Sequence, residues 1–208
     1  MSKIFIPGTA GDYDSVYEGR SSGGIIIDGE LTIVIDPGIG FIVKSGLKKV
    51  DIILMSNEEL LYSNDAKAII KKFNAKMLDN NNESIKKIQN SFKIITPKYI
   101  LGYINNPKLT KGFAEEFKDT NIMVFRCETT TIEEIINLID YINPELAILT
   151  GFKKGTDGIE FSRHLKSELK KYRKEHLKTQ IIPAKEQMTI NPDSYNIKLK
   201  QKNLKGFI

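Results

Sequence analysis

Ser56-Asn57-Glu58-Glu59-Leu60-Leu61-Tyr62-Ser63-Asn64-Asp65 follows directly on the apolar run Val50-Asp51-Ile52-Ile53-Leu54-Met55. A short β-branched and aliphatic run of this kind reads as a buried strand, and the polar residues after it as the loop that leaves its end. Beyond the loop, Ala66, Ile69, Ile70 and Phe73 fall on one face at helical spacing, which predicts a helix over residues 65–73.

Working upstream, the apolar run 4–7 ends in the turn-rich Gly8-Thr9-Ala10-Gly11-Asp12. Residues 24–29 (Gly-Ile-Ile-Ile-Asp-Gly) and 31–36 (Leu-Thr-Ile-Val-Ile-Asp) are β-branched runs on either side of a turn, predicting a hairpin that Pro37-Gly38 closes. Asp36, at a strand end before Pro-Gly, is expected to accept backbone N–H bonds from neighbouring loops. Downstream, Thr131 and Glu134 carry a capping-box signature. Ile132, Ile135, Ile136, Ile139 and Ile142 then form an apolar stripe that Asn143-Pro144 ends. Residues 78–84 are polar and turn-forming, hence an exposed loop.

The order Pro7-Gly8-Thr9-Ala10-Gly11-Asp12, Ser21-Ser22-Gly23-Gly24, Ile35-Asp36-Pro37-Gly38 and residues 50–56 resembles the N-terminal half of metallo-β-lactamase-fold hydrolases. That resemblance implies a single-domain αββα sandwich over residues 1–208 and a metal site at the end of the third strand. In the superfamily this strand runs into Ser/Thr-His-x-His-x-Asp-His. Aligned from Ser56, the ligand positions are Asn57, Glu59, Leu61 and Tyr62, none of them a ligand of the motif. Residues 144–152 look like the strand that supplies a late metal-binding His, and Gly151 stands at that position. Residues 179–190 are similar to the family's closing strand, with Glu186-Gln187-Met188 in place of its acidic-glycine step. Glu128, after the strand 121–126, matches the metal-bridging Asp with one carbon more. Leu61 and Tyr62 are expected to fill the cavity that the metal would occupy.

Residue chemistry points the same way without the alignment. A hydrolytic zinc site needs several imidazole, thiolate or carboxylate ligands and an open position for water. The chain has two histidines, His164 and His176, twelve residues apart in a Lys/Arg-rich helical stretch, and one cysteine, Cys127. These read as solvated histidines and an inert small hydrophobe. No phosphate-loop or dinucleotide spacing appears. An oxygen-only set of Glu58, Glu59, Asp65, Asp36 and Glu128 would suit magnesium, manganese or calcium. The expectation is no bound metal and no cofactor. Asp36, Ser56, Asn57 and Glu59 are then left as the lining of a remodelled pocket.

With 208 residues and 40% hydrophobic content the chain can bury one sizeable core. It lacks an apolar stretch long enough to span a bilayer and a signal-peptide pattern, and its single cysteine fits a reducing cytoplasm. The stretch from Lys153 to Lys178 holds nine basic and four acidic residues, an excess that equals the whole net charge of +5. It reads either as a solvated amphipathic helix burying Ile159, Leu165, Leu169 and Tyr172, or as a nucleic-acid contact. Three functional readings follow. The first is a metal-free protein that binds or assembles with a partner, an active homologue or a second copy of itself. The second is a divergent metal-dependent phosphodiester or ester/thioester hydrolase with oxygen ligands. The third is a nucleic-acid-binding or small-molecule sensor protein.

Overall fold

The computed structural model describes residues 2–78, 81–156, 158–171 and 179–195. The first half runs β1 (Lys3–Ile6), α1 (Tyr13–Tyr17), β2 (Ile25–Asp28), β3 (Thr32–Ile35), α2 (Phe41–Ser45), β4 (Ile52–Leu54), α3 (Leu60–Ser63), α4 (Ala66–Phe73) and β5 (Lys76–Met77). The second continues through β6 (Ile85–Ile88), β7 (Ser91–Ile95), β8 (Ile100–Ile104), α5 (Lys111–Glu116), β9 (Ile122–Arg126), α6 (Ile132–Ile142), β10 (Leu146–Thr150) and α7 (Gly158–Lys171). It closes with β11 (Gln180–Pro183) and β12 (Met188–Ile190).

Two six-stranded sheets result, ordered β12-β1-β2-β3-β4-β5 and β11-β10-β9-β8-β7-β6. Strand alternation decides which residues meet between them. Ile4, Ile6, Ile25, Ile27, Ile33, Ile35 and Leu54 of the first sheet face Phe92, Ile94, Leu101, Tyr103, Ile122, Val124, Leu146 and Ile148 of the second in one buried core. The opposite faces carry their own helical layers. Phe41 of α2 and Ala66 and Ile69 of α4 pack with Ile26, Val34 and Ile53. Phe113 of α5, Ile135 and Ile139 of α6, and Leu165 and Leu169 of α7 pack with Met123, Phe125, Ala147 and Leu149. The architecture is therefore an αββα sandwich in a single domain, and each large aliphatic side chain so buried contributes about 1.5–3 kcal/mol.

The hairpin expected over residues 24–36 forms as antiparallel β2 and β3. The capping box of α6 is present, Thr131 accepting from the Glu134 backbone and the Glu134 carboxylate accepting from the Thr131 N–H. Three expectations need correction. Residues 179–190 are not one closing strand but two in different sheets, β11 parallel to β10 and β12 antiparallel to β1. Between them the chain turns through Gln187 at φ 58°. The helix expected from residue 65 starts at Ala66 and is separate from α3, because the Asp65 N–H is donated to the Pro37 carbonyl at 2.9 Å instead of continuing the helical ladder. In α7, Leu165 and Leu169 are buried as expected but Ile159 is largely exposed, and Tyr172 lies outside the described residues.

Candidate functional site

The C-terminal ends of β3, β4, β9 and β10 meet at one edge of the sandwich, and alternation points the last residue of β9 inward. Ile122 and Val124 belong to the inter-sheet core, so Arg126 shares their face. Its side chain is fully buried. Parallel reasoning along β10 turns Thr150 inward beside Leu146 and Ile148.

Arg126 Nε donates to Glu128 Oε1, and Nη2 of the same guanidinium meets that oxygen as an ion pair. The Tyr62 ring lies under the guanidinium, 4.8 Å from ring centre to Cζ, and the Tyr62 hydroxyl donates to Glu128 Oε1 at 3.3 Å. A desolvated cation over a tyrosine face is a favourable contact. Burial pushes the Tyr62 hydroxyl well up, and it remains a neutral donor. Burial also raises the Glu128 carboxyl, against the pull of Arg126. Nη1 of Arg126 and Oε2 of Glu128 have no hydrogen-bond partner among the described residues.

Two glycines make room for this pair. A Cβ at Gly23 would stand 2.8 Å from Arg126 Nη1, and one at Gly151 would stand 2.0 Å from Glu128 Oε2. Gly151 also has φ +67°, which disfavours any side chain. Glu128 and Gly151 are thus sterically linked: the longer carboxylate occupies the space that a side chain at 151 would need.

A second polar cluster sits beside the first. Asp36, in the left-handed region at φ 50°, is fully buried. Its Oδ1 accepts from the Ser56 N–H at 2.7 Å. Its Oδ2 accepts from Ser56 Oγ at 2.5 Å and from the Tyr103 hydroxyl at 2.7 Å. Asn105 Nδ2 donates to Ser56 Oγ at 2.7 Å, and Thr129 Oγ1 donates to Asn105 Oδ1 at 2.8 Å, tying the loop after β9 to the loop after β4. Desolvation raises the Asp36 carboxyl, with Arg126 the largest opposing influence.

The expected lining residues separate. Asp36 and Ser56 stand together in the interior, whereas Asn57 and Glu59 hold each other on the exposed loop, Glu59 N–H to Asn57 Oδ1 at 3.0 Å and Asn57 Nδ2 to Glu59 Oε1 at 3.3 Å. The hydrogen bonds that Asp36 accepts come from Ser56 and Tyr103, and none of them comes from Asn57 or Glu59. Leu61 and Tyr62 are both buried, and Gly151 and Glu128 are in contact. Among the described residues no three of His, Cys, Asp and Glu gather as a metal-ligand set. The oxygen set is dispersed: Asp65 serves Ile42 and Asn64, Glu58 and Glu59 are exposed, and Glu128 faces Arg126. The donor set thus does not fit a divalent metal, because the one buried carboxylate at a family ligand position faces a fixed cation.

Elsewhere, burial pushes the Cys127 thiol well up, so it is no thiolate nucleophile. His164 is exposed on α7, 3.5 Å from Glu168. Lys154 pairs with Glu18 and Lys171 with Glu168. His176 and the rest of the stretch to Lys178 lie outside the described residues. No described helix is long and apolar enough to cross a membrane. Arg126 is the residue that sequence reasoning missed. Its signal was parity: the third member of the inward series 122, 124, 126 is charged.

No protein family matches the chain by sequence, and no curated protein does. Solved structures do match in shape. The metallo-β-lactamase fold protein YhfI from Bacillus subtilis superposes with a TM-score of 0.67 at 10% identity, covering 91% of this chain and 98% of its own. A metallo hydrolase from the archaeon Ignicoccus hospitalis gives 0.60 at 12% identity over 92% of this chain and 99% of its own. A diphosphatase of the PhnP family gives 0.59 at 11% identity over 92% and 98%. At such identities the likeness speaks for architecture. The chain has the metallo-β-lactamase fold.

Proposed function

We propose that this chain is a non-catalytic, metal-free protein of the metallo-β-lactamase fold that acts as a binding or assembly partner, in the first instance of an active homologue. The observation that carries the reading is the buried ion pair of Arg126 with Glu128. At about 4 Å and an effective dielectric of about 20, two unit charges interact by about 4 kcal/mol, and the repulsion doubles for a divalent ion. A metal bound to Glu128 would meet that repulsion from Arg126, and the imidazoles that could offset it are missing at 57, 59, 62 and 151.

The test is metal content per chain by plasma mass spectrometry, on untagged protein purified without chelators and again after incubation with zinc, manganese and iron. Phosphodiester and thioester turnover is measured on the same samples. Near-zero occupancy and no turnover are expected. Stoichiometric metal with turnover abolished by Glu128→Gln would overturn the reading. Recovery of a metallo-hydrolase homologue with the tagged chain from its native cell is the expected outcome for the assembly role.

A further inference from the structure

The outer face of the first sheet is incompletely covered. α2 has five residues, about 7.5 Å of helix, and it ends at Gly46, after which residues 46–49 cross back toward β4. The gap is a groove of about 330 Å³ between this crossing and the sheet, with Phe5 and Ile26 on its floor and Leu47 on its wall. That volume lies at the small end of the range for ligand sites. The groove lies at the Thr32 end of β3, whereas Asp36 follows the other end about 13 Å away, so it is separate from the closed site.

Lys3, Lys48 and Lys49 stand around the groove, with the exposed Thr189 beside them. The acidic group on its wall is Asp28, 3.4 Å from Lys3 and accepting from Thr32 Oγ1 at 3.2 Å. Lys49 is 2.9 Å from Asp51. Lys48, exposed at the rim, has no carboxylate within ion-pair distance among the described residues. One positive charge is therefore left uncompensated beside an apolar floor.

We infer that this groove binds a small organic anion with an apolar body, its acidic group at Lys48 and its body on Phe5, Ile26 and Leu47. Ion pairs as exposed as Lys3 with Asp28 hold weakly, so Lys3 is free to turn to such a ligand.

The probe is 8-anilinonaphthalene-1-sulfonate, titrated by fluorescence against the full chain, with the uncharged N-phenyl-1-naphthylamine as its neutral counterpart. Saturable one-to-one binding of the sulfonate is expected, at least tenfold tighter than that of the neutral compound. Lys48→Glu should weaken it at least tenfold, and Thr189→Trp, which fills the groove from the exposed face of β12, should abolish it. Lys86→Glu, on the other sheet, should leave it unchanged. Folding of each variant is checked by circular dichroism. The inference fails if the sulfonate does not saturate, if the neutral compound binds as tightly, if Lys86→Glu weakens binding as much as Lys48→Glu, or if Thr189→Trp has no effect.

Discussion

Arg126 and Glu128 form an ion pair almost wholly out of water, their side chains 0% and 3% exposed. Removing one member of such a pair strands the other charge in the interior, at a cost of about 3–5 kcal/mol, whereas replacing both with apolar groups of similar volume is often near neutral. Arg126→Met and Glu128→Leu should each lower unfolding free energy by about 3 kcal/mol or more. The double variant should recover most of that loss. Urea unfolding of the four proteins measures the coupling directly, and additive losses would show that the two charges act independently.

Gly23 and Gly151 owe their residue type to that pair, in different ways. Gly23→Ala would press a methyl against Arg126 Nη1 and should cost about 1–3 kcal/mol. In an Arg126→Met background the penalty should fall by at least half, because the nearest obstruction is gone. Gly151→Ala meets Glu128 and a left-handed backbone together, so it should cost about 3 kcal/mol and be only partly relieved by Glu128→Ala. Denaturant midpoints of the single and paired variants check both.

The sandwich was legible because its signals are local. Inward alternation in residues 4–6, 25–27 and 33–35, the turn residues between them and the Thr131–Glu134 box are each written in a few adjacent positions. Residues 85–88 and 91–95 were not: Lys86 and Lys87 are exposed on the edge strand β6, and Lys93 of β7 is buried with its amine donating to the Glu116 carbonyl at 2.7 Å, so charge interrupts the apolar pattern of both. The site was legible in part. Positions 57, 59, 61, 62, 128 and 151 could be marked by resemblance, but the cation that pairs with Glu128 comes from Arg126, which the resemblance does not mark. The hydrogen bonds that hold Asp36 and Ser56 inward come from Tyr103 and Asn105, 67 and 49 residues further along the chain respectively.

Two carboxylates should affect acid stability with opposite sign. Burial raises Asp36 above its ordinary 3.8, so the folded state holds that proton more tightly than the unfolded chain. Its contribution is fully present below pH 3.8 and is lost as pH rises through the raised value. Asp51 is lowered, first by the Thr32 N–H and then by Lys49; its contribution is present above 3.8 and is lost as pH falls through the lowered value. Urea midpoints measured from pH 3 to 7 should lose their downward component above pH 4 in Asp36→Asn. In Asp51→Asn they should lose part of the fall on the acid side.

Introducing the family's ligand residues should not by itself create a metal site. Asn57→His, Glu59→His, Leu61→Asp and Tyr62→His together return the first ligand motif that the family resemblance implies. They leave Arg126 in place and remove the Tyr62 ring that lies under its guanidinium. A divalent ion next to Glu128 would still be repelled by about 8 kcal/mol at about 4 Å. Gly151→His cannot be added while Glu128 occupies that space, so Glu128→Asp has to accompany it. The fourfold variant is expected to remain near zero in metal content after zinc incubation. The variant that also carries Arg126→Met, Glu128→Asp and Gly151→His should take up zinc, provided circular dichroism shows it folded. Zinc uptake at full occupancy by the fourfold variant would mean that the guanidinium is no barrier. The proposed metal-free reading would then rest on the ligand positions alone.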